Sequence, residues 1–183
     1  MQTDVVVVGA GAAGMFCAGV LGQRGKRVLL LDHAKTLGEK IRISGGGRCN
    51  FTNRESNPSH FLSLNPDFAR SALARYSPDN FVSLVRRHRI GFHEKHRGQM
   101  FCDDSSQQII QMLVSECQLG RVEIRQPVTV QEVIRESEQW CITTNAGALR
   151  ADALVIATGG LPVPAIGATG FALDLAKQLG LPV

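Results

Sequence analysis

The 183-residue chain reads as an α/β fold, with a parallel sheet, helices on its faces and a small antiparallel β-meander set into it. Three features predict this. Val5 to Val8 is an unbroken run of β-branched residues, which suits a strand buried on both faces of a parallel sheet. The run leads straight into Gly9-Ala10-Gly11-Ala12-Ala13-Gly14, a G-x-G-x-x-G spacing. A second apolar run, Ala153 to Ala157, reads as another fully buried strand. It ends in Thr158-Gly159-Gly160, and such strand ends are where ligands sit in open α/β sheets.

In the first motif, Gly9 permits a tight turn, Gly11 lets the backbone approach a pyrophosphate, and Gly14 lets helix and strand pack closely. A helix follows from about Ala12 to Arg24, with Gly25 as its C-terminal stop. Its N-terminus offers N–H groups and a positive dipole end to phosphates. Arg27 to Leu31 forms a second strand that ends at Asp32. An acid there, about 20 residues past the glycines, accepts hydrogen bonds from a ribose hydroxyl pair. Glycines alone would also fit a tight turn in an unrelated α/β protein. Strand, glycines, helix, strand and acid in this order predict a dinucleotide site. Asp32 argues against a 2′-phosphorylated ligand, because like charges would repel.

Residues His33 to about His60 read as a loop region. Pro66 to about Arg75 fits a helix capped by Asn65. Ser77-Pro78-Asp79-Asn80 opens the next helix, which shows Phe81, Leu84, Val85 and His88 on one face and ends at Gly91. Phe92 to Phe101 holds a short hairpin. Ser105 or Ser106 caps a third helix, with Ile110, Leu113, Val114 and Cys117 along one side. The segments VEIR, PVTVQEVIRE, QWCITTN and a run at Leu149 read as an antiparallel meander over residues 121–150. Its turns fall at Glu136-Ser137 and Asn145-Ala146-Gly147. A last helix lies near Gly170 to Gln178. No repeat or low-complexity linker marks a boundary, so residues 1–183 read as one domain.

Composition narrows the class. A hydrophobic fraction of 44% and a charged fraction of 20% are those of a soluble globular protein. The net charge of +4 suits a ligand with two phosphates. No aromatic–basic platform accompanies it, so nucleic acid is not the expected main partner. The apolar N-terminus has no basic leader and carries Asp4 and five glycines through Gly22, against a signal or membrane segment. Five cysteines (Cys17, Cys49, Cys102, Cys117, Cys141) with no CxxC pair predict free thiols in a reducing, cytoplasmic compartment. His93-x-x-His96 lacks a third ligand, so no metal site is expected.

Ser44-Gly45-Gly46-Gly47-Arg48-Cys49-Asn50 sits too soon after Asp32 for a helix or strand. Three adjacent glycines cost backbone entropy, so either a ligand approaches that backbone closely or the loop is a flexible basic one. Lys40, Arg42 and Arg48 flank it, where a pyrophosphate or flavin ring could lie.

LGEKIRISGGGRCNFTN, the first glycine motif and LVIATGG together resemble the BaiN/YhiN-like family of FAD-dependent oxidoreductases, also labelled aminoacetone-oxidase-family FAD-binding enzymes. The resemblance covers essentially the whole chain, including ARYSPDNFVSLVRRHRIGFHEKHRGQMFCDDSSQQII. It implies a Rossmann-like, glutathione-reductase-type FAD domain. In that domain Gly9, Gly11, Ala12, Ala13 and Gly14 would hold the pyrophosphate, with Asp32 and His33 at the adenosine ribose. Lys40, Ser44, Gly45, Gly46, Arg48, Cys49 and Asn50 would line the stretch from pyrophosphate to flavin. Val128 would meet the adenine through its backbone, and Thr158, Gly159 and Gly160 would pass close under the cofactor.

Two departures stand out. Many relatives carry Arg-x-Phe-Pro where this chain has Gln99-Met100-Phe101-Cys102. Family members also continue past Val183 into a substrate domain and return with a further flavin-capping segment. The chain is therefore expected to be the N-terminal part of such a protein, incomplete at its C-terminus and without the substrate domain.

The resemblance implies a soluble FAD-dependent oxidoreductase with NAD(P)H as electron donor and a small-molecule substrate. Two alternatives stay open: a non-catalytic nucleotide-binding fragment, and an NAD-binding dehydrogenase domain. A simple NAD fold needs no second glycine run, which counts against the latter. Arg48 could lower the pKa of Cys49, but no resolving cysteine lies nearby in sequence, which favours packing or flavin contact over a catalytic thiol. Nothing aims Glu94 at a substrate, Asp103-Asp104 suit a helix start, and Asp174 suits a solvated helix face. No catalytic acid or base is named.

Overall fold

The computed structural model describes residues 2–161 and 167–183. In chain order its elements begin with β1 (Gln2–Val8), α1 (Ala12–Gln23), β2 (Val28–Leu31), α2 (Glu39–Ile43), β3 (Asn50–Asn53) and α3 (Arg70–Arg75). There follow α4 (Pro78–Arg87), β4 (Phe92–Glu94), β5 (Gln99–Cys102) and α5 (Gln107–Leu119). The chain closes with β6 (Glu123–Arg125), β7 (Val130–Glu136), β8 (Gln139–Thr144), β9 (Gly147–Ile156) and α6 (Phe171–Gln178). Two compact units form: residues 1–40 with 113–183, and residues 41–112. No repeat or low-complexity linker announces that division.

The first unit is built on a six-stranded sheet of order β6-β2-β1-β9-β8-β7. The valine run of β1 lies between β2 and β9, parallel to both, and its side chains are buried on both faces as its composition predicts. Val6, Val8, Leu29 and Leu31 join Val133, Ile142, Leu149 and Leu175 in one core cluster. At the usual 25 cal/mol per Å² of apolar surface, each such side chain contributes about 1.5–3 kcal/mol before conformational entropy is charged against it.

Three expectations change. The Leu149 run and Ala153–Ala157 are one strand, β9, which pairs antiparallel with β8 and parallel with β1. Its second half is less covered than a fully buried strand, with Ala153 exposed and Leu154 to Ile156 half-buried. An apolar run reports that a strand can be covered, not that a helix lies over it. The segment VEIR is β6, which pairs in parallel with β2 at the sheet edge, so the antiparallel ribbon is β7-β8-β9. A three-residue strand carries no period from which its partner could be read.

In the second unit, β3, β5 and β4 form an antiparallel sheet in that order. Phe51 meets Phe81 and Phe92 at 6.0 and 5.7 Å between ring centroids, which ties β3 to α4 and β4. Ser77 and Asn80 close a reciprocal capping box at the start of α4. The supposed loop from His33 holds α2 and β3, because a short helix leads directly into the glycines. The helix expected from Pro66 begins only at Arg70. Upstream, Asn65 Oδ1 accepts from the Asp67 N–H at 3.1 Å and the Asn65 carbonyl from the Phe68 N–H at 3.2 Å, which holds the segment in tight turns. Among the described residues no helix is long and apolar enough to cross a membrane.

Candidate functional site

The sheet order of the first unit reverses at β1, whose neighbours are β2 on one side and β9 on the other. The crevice beyond the carboxyl ends of these strands is where open α/β sheets take ligands. Gly9 follows β1 with φ +105°, and its N–H donates to the Leu31 carbonyl at 2.7 Å. A Cβ on Gly9 would lie 2.6 Å from the Ala157 carbonyl oxygen, and one on Gly14 would fall on the Gly9 oxygen. These two glycines let β1, the start of α1 and the end of β9 share one small space. Gly11 differs, because among the described residues nothing lies within 4 Å of where its Cβ would be. It is the extended N-cap of α1, with no side-chain cap and no acid in the first turn. The helix start, with Ala12 and Ala13 exposed, therefore presents its uncompensated N–H groups and partial positive charge to the crevice.

Asp32 stands at the end of β2 as expected, and its carboxylate is a structural fastener as well. One oxygen accepts from the Ala10 N–H and the other from the Ala34 N–H at 2.8 Å. The acid thus clamps the glycine loop to the loop after β2, a role that spacing alone could not reveal. His33 Nδ1 lies 3.7 Å from the same carboxylate. Val128 donates its N–H to the Asp32 carbonyl at 2.7 Å, which brings the expected adenine and ribose residues side by side. At the end of β9, Thr158 Oγ1 is buried and finds no hydrogen-bond partner among the described residues. Gly159 has φ +75°, and Lys40 Nζ reaches the Gly160 carbonyl at 3.4 Å. Gly9, Gly11, Ala12, Ala13, Gly14, Asp32, His33, Lys40, Val128, Thr158, Gly159 and Gly160 all belong to this unit.

Ser44, Gly45, Gly46, Arg48, Cys49 and Asn50 belong to the second unit. Ser44–Gly47 forms a 3-10 turn in which Gly45, Gly46 and Gly47 take φ of +58°, +66° and +84°. Hydrogen bonds hold the turn on both sides. The Cys49 N–H donates to Ser44 at 3.0 Å, the Ser106 N–H to Gly47 at 2.7 Å, and Ser106 Oγ to the Arg42 carbonyl at 2.8 Å. A Cβ on Gly45 would strike the Phe101 ring, whereas Gly46 and Gly47 face open space. Arg48 and Asn50 are exposed.

Cys49 is buried, and burial pushes its thiol pKa up against a smaller opposing hydrogen bond with Ser44. Arg48 does not outweigh that burial, and a packed Cys49 accords with the packing role that the lack of a nearby resolving cysteine favours. Burial likewise raises Cys102 to about 12 and Cys117 to about 11. Glu94 pairs with Arg54 at 3.2 Å, and Asp103 pairs with His93 at 2.7 Å in place of serving the helix start. Among the described residues no group of three or more His, Cys, Asp or Glu is arranged to hold a metal ion.

The HI0933-like protein Rossmann domain matches residues 3–183. A ribosomal RNA dihydrouridine synthase of Escherichia coli is 49% identical over 98% of this chain and 45% of its own length. A 3-dehydro-bile acid delta(4,6)-reductase of Clostridium scindens is 26% identical over 95% of this chain and 43% of its own length. The chain thus spans somewhat under half the length of these curated relatives. Among solved structures, glycine oxidase from Geobacillus kaustophilus matches with a TM-score of 0.60 at 17% identity, covering 100% of this chain and 59% of that one. A halogenase, PltM, solved with phloroglucinol and FAD matches at 0.53 and 20%, covering 97% and 36%. At such identities the likeness is one of fold, and it is the fold the glycine motif and sheet order predict. Matched along nearly its entire length, the chain belongs to the HI0933-like Rossmann-domain family.

Proposed function

We propose that this chain is the FAD-binding part of a flavin-dependent reductase that saturates a uridine carbon–carbon double bond in ribosomal RNA, with NAD(P)H as electron donor. The observation that carries the cofactor reading is the cradle at the end of β1. Gly11 and the start of α1 leave open, positively polarised backbone where a diphosphate would lie, and Thr158 Oγ1 is a buried hydroxyl with no hydrogen-bond partner among the described residues. Both fit a phosphate-bearing ligand. Asp32 retains lone pairs for a ribose hydroxyl beside its two backbone bonds. Ser44, Gly45, Gly46, Arg48, Cys49 and Asn50 are assigned to the same cofactor by the SGGGRCN motif. Bound FAD would supply hydride chemistry, and the protein's part is to bind, orient and exclude water.

The substrate reading is supported by the 49% identity to the E. coli synthase. The more distant bile-acid reductase bears a name that also denotes alkene reduction. The balanced reaction is uridine plus NAD(P)H plus a proton, giving dihydrouridine and NAD(P)⁺. The lack of an obvious nucleic-acid platform in the sequence is weaker testimony than identity across the whole chain.

A visible spectrum of the purified chain, with identification of the flavin released by heat, tests the cofactor. FAD released in near-stoichiometric amount is the expected result, and a colourless folded chain would overturn it. Nucleoside mass spectrometry of unmodified ribosomal RNA incubated with the full-length protein and NAD(P)H tests the substrate. Absence of dihydrouridine from a flavin-loaded preparation would remove that reading alone.

A further inference from the structure

Charge is divided unevenly between the two units. Residues 41–112 hold ten of the twenty Lys and Arg but only six of the sixteen Asp and Glu, together with four of the five His. The other unit carries ten of each sign, so the entire net charge of +4 arises in the second unit. It concentrates between residues 86 and 97, where Arg86, Arg87, Arg89, Lys95 and Arg97 face one acid, Glu94.

A run of charge is commonly just a solvated face. Three observations set this one apart. First, hydrogen bonds fix the tip of the β4–β5 hairpin in place. The Lys95 N–H donates to Gln99 at 2.9 Å, Asn53 Nδ2 to the Arg97 carbonyl at 2.8 Å, and the Arg54 N–H to Gly98 at 2.9 Å. Arg97 at the tip and Arg89 after α4 both have φ +56°, a left-handed conformation that arginine seldom takes.

Second, the local acids are already engaged, Glu94 with Arg54 and Asp103 with His93. Arg87, Arg89, Lys95 and Arg97 are exposed and form no ion pair among the described residues. Third, rings lie among the cations. His93 stacks on Phe101 at 6.3 Å and 18°, and Lys95 Nζ is 5.3 Å from the same ring centroid. The residues of this platform are scattered in sequence, and the register His93↔Phe101 brings them together. They flank β4, an edge strand of its sheet.

We propose that the β4–β5 hairpin and the adjoining end of α4 form an RNA-binding surface, with Lys95 and Arg97 at one end of β4 and Arg87 and Arg89 at the other on successive phosphates. This rests on the reading of RNA as substrate. Cations at both ends of a strand about 10 Å long suit an extended polyanion better than a single phosphate group. The exposed His93 ring, backed by Phe101, offers a flat surface to an unpaired base.

The test is fluorescence anisotropy of a short RNA hairpin with a uridine-rich loop, titrated with the 183-residue chain. Lys95→Glu/Arg97→Glu is expected to weaken binding at least tenfold and to lower the log–log salt slope by about 1.5 between about 50 and 200 mM salt. The conservative pair Lys95→Arg/Arg97→Lys is expected to bind as wild type does. Arg87→Glu/Arg89→Glu provides a second variant should the first misfold, with circular dichroism and bound flavin as checks on folding. Wild-type affinity and slope in both charge-reversed variants would overturn the surface while leaving the substrate reading intact. RNA binding that depends on the hairpin, with no dihydrouridine formed by the full-length protein, would retain the surface and overturn the substrate. A wild-type chain that ignores RNA would overturn the surface outright.

Discussion

In the loop after β1, Gly9 and Gly14 occupy positions where a Cβ would meet neighbouring backbone. In the turn after α2, Gly46 and Gly47 face open space, yet both hold left-handed φ angles. The first pair is dictated by tertiary packing, because β9 and the helix start come within contact of the loop. The second is dictated by local conformation, with room left over for something to lie against the backbone. One residue type thus answers two different demands, and substitutions separate them by size of effect.

Gly14→Ala is expected to do the most damage. Its methyl falls on the Gly9 oxygen, and only movement of backbone can relieve that. A destabilisation of about 3 kcal/mol is expected, with loss of bound flavin. Thermal melting and flavin content check both, and an unchanged melting temperature would sink the packing account of this loop.

Thr158→Val ranks next, and its sign depends on the ligand. The hydroxyl is buried and has no partner among the described residues, so its removal should leave the flavin-free chain as stable or slightly more so. With flavin bound, about 1 kcal/mol of binding is expected to be lost, roughly a fivefold weaker Kd. Equal effects with and without flavin would show that Thr158 does not face the ligand.

Gly46→Ala should cost about 1 kcal/mol, from the left-handed backbone alone, because no atom of the described residues stands in the way of the methyl. If it proves as damaging as Gly14→Ala, the contrast between the two stretches fails.

The smallest effect is alkaline. Cys102 and Cys117 keep their protons more tightly folded than unfolded, with burial raising them to about 12 and about 11 from an unfolded 9.0. Their contribution to stability is complete below the unfolded value and is lost as pH rises through 9 toward the folded values. Between about pH 8 and 9 the pair should lose roughly 0.7 kcal/mol. Urea midpoints across that range, compared with Cys102→Ala/Cys117→Ala, provide the check, and identical slopes would remove the thiols as the cause.

Much of the first unit was legible because its signals are local. A β-branched run, a spaced set of glycines and an acid at a strand end each act within a few residues, so Val5–Val8, Gly9–Gly14 and Asp32 take the places their patterns predict. The second unit was less legible. A five-residue helix and a four-residue strand around the glycines are too short to show a period. The partner of β6 was hidden for the same reason, and Asp32 as a clamp was invisible because Ala10 and Ala34 contribute only backbone N–H groups.

The sequence by itself determined the α/β class, the cofactor motif and the sum of the charge, because these follow from residue type and spacing along one chain. Only the tertiary structure decided which glycines are packed and which are open, which thiols lie buried, and that the net charge gathers in one unit beside stacked rings. Those properties depend on what lies across space from each residue, through pairings such as His93↔Phe101 and Gly9 against Ala157 that no local pattern encodes.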